Sequence, residues 1–285
     1  MIKIDNCDIE KIIYEIYSSL EKNNFLTLGR PESLMWERPI IGVAAGDDPY
    51  YGFLKEHIGQ FHWSPEEAFQ LKYPESVLKE NLRVVSMVFP QTTETNHTQS
   101  NETKCPSREW IVTRGEWESF MKEFSGKLVN KLADMGIRSV SIDLQPEFST
   151  VKSEKLGLAS KWSHRHSAYL AGLGTFGLSE GLITERGKAI RISSLIIEAS
   201  LKSTSRPYKS YNEWCLYYKN GSCGACIKRC PVNAITFEGH DKIACEDYEE
   251  VFAEKYWPSD IKRGNYILGC GLCQSRVPCQ YGIPK

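Results

Sequence analysis

Eight of the ten cysteines in this 285-residue chain fall between Cys215 and Cys279, and their spacing is that of thiolate ligands. The core is Cys223-Gly-Ala-Cys226-Ile-Lys-Arg-Cys230-Pro231, followed by Cys245, then Cys270-Gly-Leu-Cys273, then Cys279. A ferredoxin run of the form C-x2-C-x2-C-x3-C-P sends its last cysteine to the other of two clusters. The last three cysteines of that run are present here with their trailing proline. Asn220 stands where the first would be, and Cys215 lies five residues upstream of it. Eight thiolates is the number that two [4Fe–4S] cubanes need. Interlocking assigns Cys215, Cys223, Cys226 and Cys279 to one cluster and Cys230, Cys245, Cys270 and Cys273 to the other. Disulfides, structural zinc on the C-x2-C pairs and a single cluster with spare cysteines are the competing readings. Cys7 and Cys105 are isolated and read as ordinary residues.

The elements that must position these groups occupy far more chain than a ferredoxin needs. Ile40 to Ala45 is a short apolar run closed by Gly46-Asp-Asp-Pro49, a strand and a turn. Leu82 to Phe89, stopped by Pro90, is a second strand. The polar stretch from Gln91 to Pro106 reads as a loop. From Gly115 to Met135 the apolar residues Trp117, Met121, Phe124, Leu128, Leu132 and Met135 recur at helical spacing, and Ile137 to Ile142 returns as a strand ending at Asp143. Ala189 to Ile197 is a further strand. The expected fold is an α/β (α+β) domain over residues 1–205 followed by a ferredoxin-like di-cluster domain over 206–285. Several of the many aromatics (Trp36, Tyr50, Tyr51, Phe53, Phe61, Trp63, Trp110, Trp162) flank polar turns, as a large planar cofactor requires.

Gly172, Gly174 and Gly177 match the spacing of a dinucleotide fingerprint, but that motif follows a strand and opens a helix. Here the residues before the glycines look helical and those after them extended. Glycines in such a turn permit positive φ or close backbone approach to a ligand. His164 and His166 flank Arg165 two residues apart, which does not place them on one helix face. A composition of 41% hydrophobic and 25% charged residues is that of a soluble globular protein. The net charge of −1 gives no general footprint for nucleic acid or membrane surfaces. No apolar run approaches a membrane span and no export signal is evident, so a cytoplasmic location without a membrane partner is expected.

With these residues in view, the chain resembles the epoxyqueuosine reductases and, more distantly, the reductive dehalogenases, both corrinoid-dependent [4Fe–4S] enzymes. The likeness covers roughly residues 137–279. Ala171-Gly-Leu-Gly174 follows Arg165 by the step that separates a functional arginine from the same turn in that family. The run Cys223 to Cys230, the lone Cys245, Gly269-Cys270-Gly-Leu-Cys273-Gln274 and Cys279 repeat its cluster region. The resemblance implies base-off cobalamin over the α/β half, with Tyr169, Gly172, Gly174, Thr175 and Gly177 at the cofactor. It also implies Asp143 as proton donor and Arg165 as the residue that positions an anionic group, although the stretch between these two is longer here. No Asp-x-His-x-x-Gly motif offers a histidine in place of the lower cobalt ligand. The implied activity is reductive cleavage of a small-molecule substrate, with electrons from a ferredoxin- or flavodoxin-type donor. The near-neutral charge and a chain stopping at Lys285 argue against tRNA as a partner. The alternative is an electron-transfer protein that reduces a partner or its corrinoid without a substrate of its own. A flavin- or nicotinamide-linked enzyme with accessory clusters is a weaker third reading.

Overall fold

A computed structural model describes residues 4–75, 77–259, 261 and 269–285. Four strands build the central sheet: β1 (Ile40–Ala45), β2 (Leu82–Pro90), β3 (Ser139–Ser141) and, last in the chain, β8 (Ile190–Glu198). Their spatial order is β1-β2-β8-β3 and every neighbouring pair is antiparallel. Two hairpins precede β8: β4 (Thr150–Ser153) with β5 (Gly157–Ser160), and β6 (Gly174–Phe176) with β7 (Leu182–Thr184). Strands and helices alternate along the chain as expected, but the sheet they form is antiparallel.

The sheet is buried on both faces because β2 is apolar on both sides of its pleat. Val85, Met87 and Phe89 face a core built with α1 (Asn6–Ser18) and the long α5 (Arg108–Asp134). Leu82, Val84 and Val88 face a second core built with α2 (Tyr50–Ile58), α3 (Pro65–Gln70) and α6 (His164–Leu170). In the first core Phe89 meets Phe120 and Phe124 edge to face at 5.5 and 5.4 Å, the geometry that favours aromatic pairs. At 27 residues α5 is about 40 Å long, enough to run from this core to the cysteine segments.

The expected loop between Gln91 and Pro106 contains a helix, α4 (Thr93–Asn101). Thr92 caps it, its hydroxyl accepting from the Thr95 amide. An apolar stripe is missing because α4 buries polar residues instead. Gln99 donates to the Cys270 carbonyl at 2.9 Å and accepts from the Ser107 amide at 2.7 Å. Asn96 and Ser100 hold Gln280, next to Cys279.

Three short helices follow β8: α7 (Leu216–Asn220), α8 (Ala225–Arg229) and α9 (Lys242–Tyr256). They carry Cys226 and Cys245, and Asp241 caps α9 through the amides of Ile243 and Ala244. The β4–β5 hairpin fills the added length between Asp143 and Arg165. It leans on α9, where Lys242 Nζ donates to the Leu158 carbonyl.

Replacing Gln99 with alanine leaves two buried backbone groups without their partner. Urea denaturation of Gln99→Ala is expected to show a loss of about 1–3 kcal/mol; an unchanged midpoint would mean that α4 is not what ties the Cys270 loop to the sheet.

Candidate functional site: two thiolate nests and an adjoining cleft

Cys215, Cys223, Cys226 and Cys279 line one cavity together with Gly177, Leu178, Ile183 and Lys188. Their chain positions span 65 residues, and folding brings them to the same small space. The other four are mutual electrostatic neighbours: Cys245 faces Cys273 and Cys230, Cys270 faces Cys273 and Cys245, and Cys273 faces Cys230. Cys226 and Cys273 also sense each other, so the two groups are adjacent. These are the sets that interlocking assigns. Cys105 packs beside Cys270 and Phe252, and Cys7 is exposed on α1, each outside both sets.

Among the described residues no three His, Cys, Asp or Glu side chains converge at the spacing of a single metal ion. Tetrahedral zinc at about 2.3 Å from each sulfur would draw its thiolates to contact distance.

Several contacts that spacing alone does not reveal hold these segments. The indole of Trp110 on α5 lies against Gly271, where a Cβ would stand 2.1 Å from the ring, and Gly271 has φ +63°. Trp110 Nε1 also donates to the Gly269 carbonyl at 3.0 Å. Arg229 donates to the carbonyls of Leu272, Ser275 and Glu102, stitching the first cysteine run to the last. The Ala234 amide donates to Cys230 Sγ at 3.2 Å, a contact of the kind that tunes cluster potential. Burial pushes the Cys226 thiol up to about 11 and that of Cys245 up to about 12. Both therefore release a proton when they take up iron.

A cleft of about 870 Å³ opens beside the first cavity. Asp143, His164 and Arg165 line it, with Lys188 shared between cleft and cavity. A second hollow shares Arg114, Ser163 and Arg165 with it and reaches Cys245. The two spaces share these side chains, with Asp143 lining the first and Cys245 the second. Asp143 sits in the turn after β3 and accepts from Ser193 at 2.5 Å. His164 Nε2 stands 3.6 Å from Asp143, while its Nδ1 is 2.9 Å from the Ser194 hydroxyl. Burial holds His164 below the usual histidine range against the pull of Asp143, so it is neutral at physiological pH. Arg165 donates to the Glu180 carbonyl at 2.7 Å. His166 points elsewhere, to Ser163 and Tyr211, and burial lowers it to about 3.

Deeper in the cleft, Arg191 is pushed below its ordinary range by burial and by neighbouring Arg114. Its Nε has no partner among the described residues. Glu249 offsets part of this charge and accepts from the Cys270 amide at 3.2 Å.

The glycine-rich turn lies apart from the cleft. It passes from α6 into β6, the reverse of the dinucleotide order. A Cβ at Gly172 would meet the Ser205 carbonyl at 2.5 Å, and one at Gly174 the Ile183 carbonyl at 2.4 Å. Thr175 is buried and accepts from the Trp214 amide. Tyr169 stacks on Tyr208 at 5.2 Å. Gly177 lines the cysteine cavity. Four of the five residues expected at a cofactor thus face protein, and the fifth faces a cluster.

Residues 219–280 match the model of a 4Fe-4S double cluster binding domain. The chain carries two [4Fe–4S] clusters. Cys215 lies just outside the matched segment and lines the same cavity as Cys223, Cys226 and Cys279. The chain is 33% identical over 111 residues to an epoxyqueuosine reductase of Leadbetterella byssophila, covering 38% of this chain and 34% of that one. It is 24% identical over 230 residues to that of Vibrio cholerae, covering 77% and 56%. This chain is a homologue of the epoxyqueuosine reductases. It spans only about a third to a half of the length of those two relatives. The structure of the Streptococcus thermophilus epoxyqueuosine reductase superposes with a TM-score of 0.53 at 15% identity, covering 98% of this chain and 67% of the other. A catabolic reductive dehalogenase gives 0.51 at 15% identity, covering 86% and 30%. The N-terminal mixed α/β region and the cluster region that follows it are therefore the architecture of both enzyme groups.

The expectation that tRNA is excluded as a partner is corrected. One solved epoxyqueuosine reductase that this chain resembles (TM-score 0.49, 17% identity, 97% of this chain and 66% of that one) is in complex with a tRNA-Tyr epoxyqueuosine-modified stem loop. Net charge and chain length do not exclude such a partner. No described helix is long and apolar enough to cross a membrane.

Iron content checks the ligand sets. Cys215→Ala is expected to lose about half of the iron of the reconstituted protein, whereas Cys7→Ala keeps all of it. Full iron in Cys215→Ala would remove Cys215 from the first set.

Proposed function

We propose that the chain is a corrinoid-dependent iron–sulfur reductase, in which the two clusters feed low-potential electrons to cobalamin for reductive cleavage of a small-molecule substrate. The observation that carries this reading is the cleft lined by Asp143, His164 and Arg165, which shares Lys188 with the cavity of the first cysteine set and adjoins a hollow lined by Cys245. A carrier protein needs only an exposed cluster edge. A cleft of this size is in the range of ligand sites.

The residues present fit the cofactor. Phe148, Leu182, Ile190 and Ile192 give the cleft an apolar wall, and Arg114, Arg165, Lys188 and Arg191 give it a cationic one. Such a lining suits a broad, largely apolar group that carries a phosphodiester. When bound, the corrinoid supplies a reduced cobalt centre able to break a carbon–heteroatom bond. The chain's own residues do the rest. Asp143 delivers the proton to the product carbon or leaving atom, held in place by Ser193. His164, whose Nε2 stands 3.6 Å from Asp143, orients that carboxyl, and the proton Asp143 gives up is replaced from solvent. Arg165 positions an anionic part of the substrate. The β4–β5 hairpin contributes Thr150 and Ser160 to the cleft wall and so shapes what enters it. The electron donor is a ferredoxin or flavodoxin, and the site of action is the cytoplasm.

The test uses titanium(III) citrate as reductant and a panel of epoxides and aryl halides as probes. Any probe turned over by the parent protein should be turned over about 10²–10⁴-fold more slowly by Asp143→Asn, with iron content and cobalamin binding retained. Undiminished turnover would leave Asp143 a turn-forming carboxylate and remove it from the reaction.

A further inference from the structure

Lys188 is 2% exposed and lies in the wall that separates the Cys215/Cys223/Cys226/Cys279 cavity from the cleft. Burying an ammonium costs several kcal/mol unless a counter-charge is near. Among the described residues no carboxylate pairs with it; its hydrogen-bond partner is the neutral hydroxyl of Ser179. Its electrostatic neighbours are Cys279, Cys273, Cys226 and Cys215, drawn from both thiolate sets. The side chain is also fixed in place. The Lys188 amide donates to the Gln280 carbonyl at 3.3 Å. At the other end Gly181 packs on the stem so closely that a Cβ there would stand 2.6 Å from Lys188 Cε.

We propose that Lys188 is a fixed positive charge set beside both thiolate sets, which favours the reduced forms of the clusters they hold. A cubane with four thiolates gains one negative charge when it accepts an electron. A buried ammonium that lines the same cavity therefore stabilises the reduced state more than the oxidised one, with little solvent to screen it. The same charge borders the cleft, so it acts on the final transfer as well as on the exchange between clusters. This inference rests on the cluster region alone and holds whether or not a corrinoid occupies the cleft.

The experiment is an EPR-monitored redox titration of the reconstituted, corrinoid-free protein. Lys188→Met keeps the length and apolar bulk of the stem and removes the charge. Its clusters should be at least tenfold harder to reduce, a fall of 59 mV for a one-electron couple, while Lys188→Arg stays close to the parent. Gly181→Ala, whose methyl group pushes on the Lys188 stem, should move the potentials in the same direction by less. Parent-like potentials in an iron-replete Lys188→Met protein would overturn the proposal. Should Lys188→Met not assemble, Lys188→Gln is read in the same way. Failure of every neutral variant to take up iron, with Lys188→Arg intact, would overturn tuning in favour of a purely structural role. Failure of the corrinoid reading would leave all of these outcomes unchanged.

Discussion

Gathering eight thiolates inside a protein concentrates negative charge where water cannot screen it, and the fold answers this with donors and cations drawn mostly from outside the cysteine run. Trp110, Gln99 and Arg229 fix the backbone around Cys270 and Cys273. Lys188, Arg114 and Arg191 bring positive charge to the side that faces the cleft. The α/β half is therefore more than a platform beside a ferredoxin-like segment. Gln99 of α4 and Trp110 of α5 thus help to hold the last three cysteines in place.

The same arrangement explains the position of the cleft. Cations needed to offset thiolates also line the space next to them, and this creates a site suited to a cofactor or substrate with an anionic part. Asp143 and Arg165, separated in the chain by the β4–β5 hairpin, reach the cleft from opposite ends of that insertion. The hairpin leans on α9, which carries Cys245, so the insertion links the wall of the cleft to the second thiolate set.

Much of this was legible in the sequence. Ligand spacing is a short-range code, and the trailing Pro231 and the Cys270-Gly-Leu-Cys273 pair state it directly. The strands of the central sheet were legible too, because Val84 to Phe89 and Ile190 to Ile197 are apolar on both faces of the pleat. Helix α4 was hidden because it buries Asn96 and Gln99 against backbone carbonyls, which leaves no hydrophobic period to read. Lys188 and Trp110 were hidden for a different reason. Their roles depend on what lies across from them in space, at Gly181 and Gly271, more than 5 and 150 residues away. The glycine-rich turn gave the opposite lesson: Gly172 and Gly174 are needed where backbone packs closely, against the carbonyls of Ser205 and Ile183.

The central claim is that reduced clusters serve a corrinoid held in the cleft. Anaerobic EPR of the reconstituted protein mixed with cob(II)alamin tests it most directly. The account predicts a five-coordinate, base-off cobalt signal without nitrogen splitting from a lower ligand, and cobalamin that stays with the protein on gel filtration. A base-on signal from cofactor that elutes free would contradict it and leave a two-cluster electron carrier.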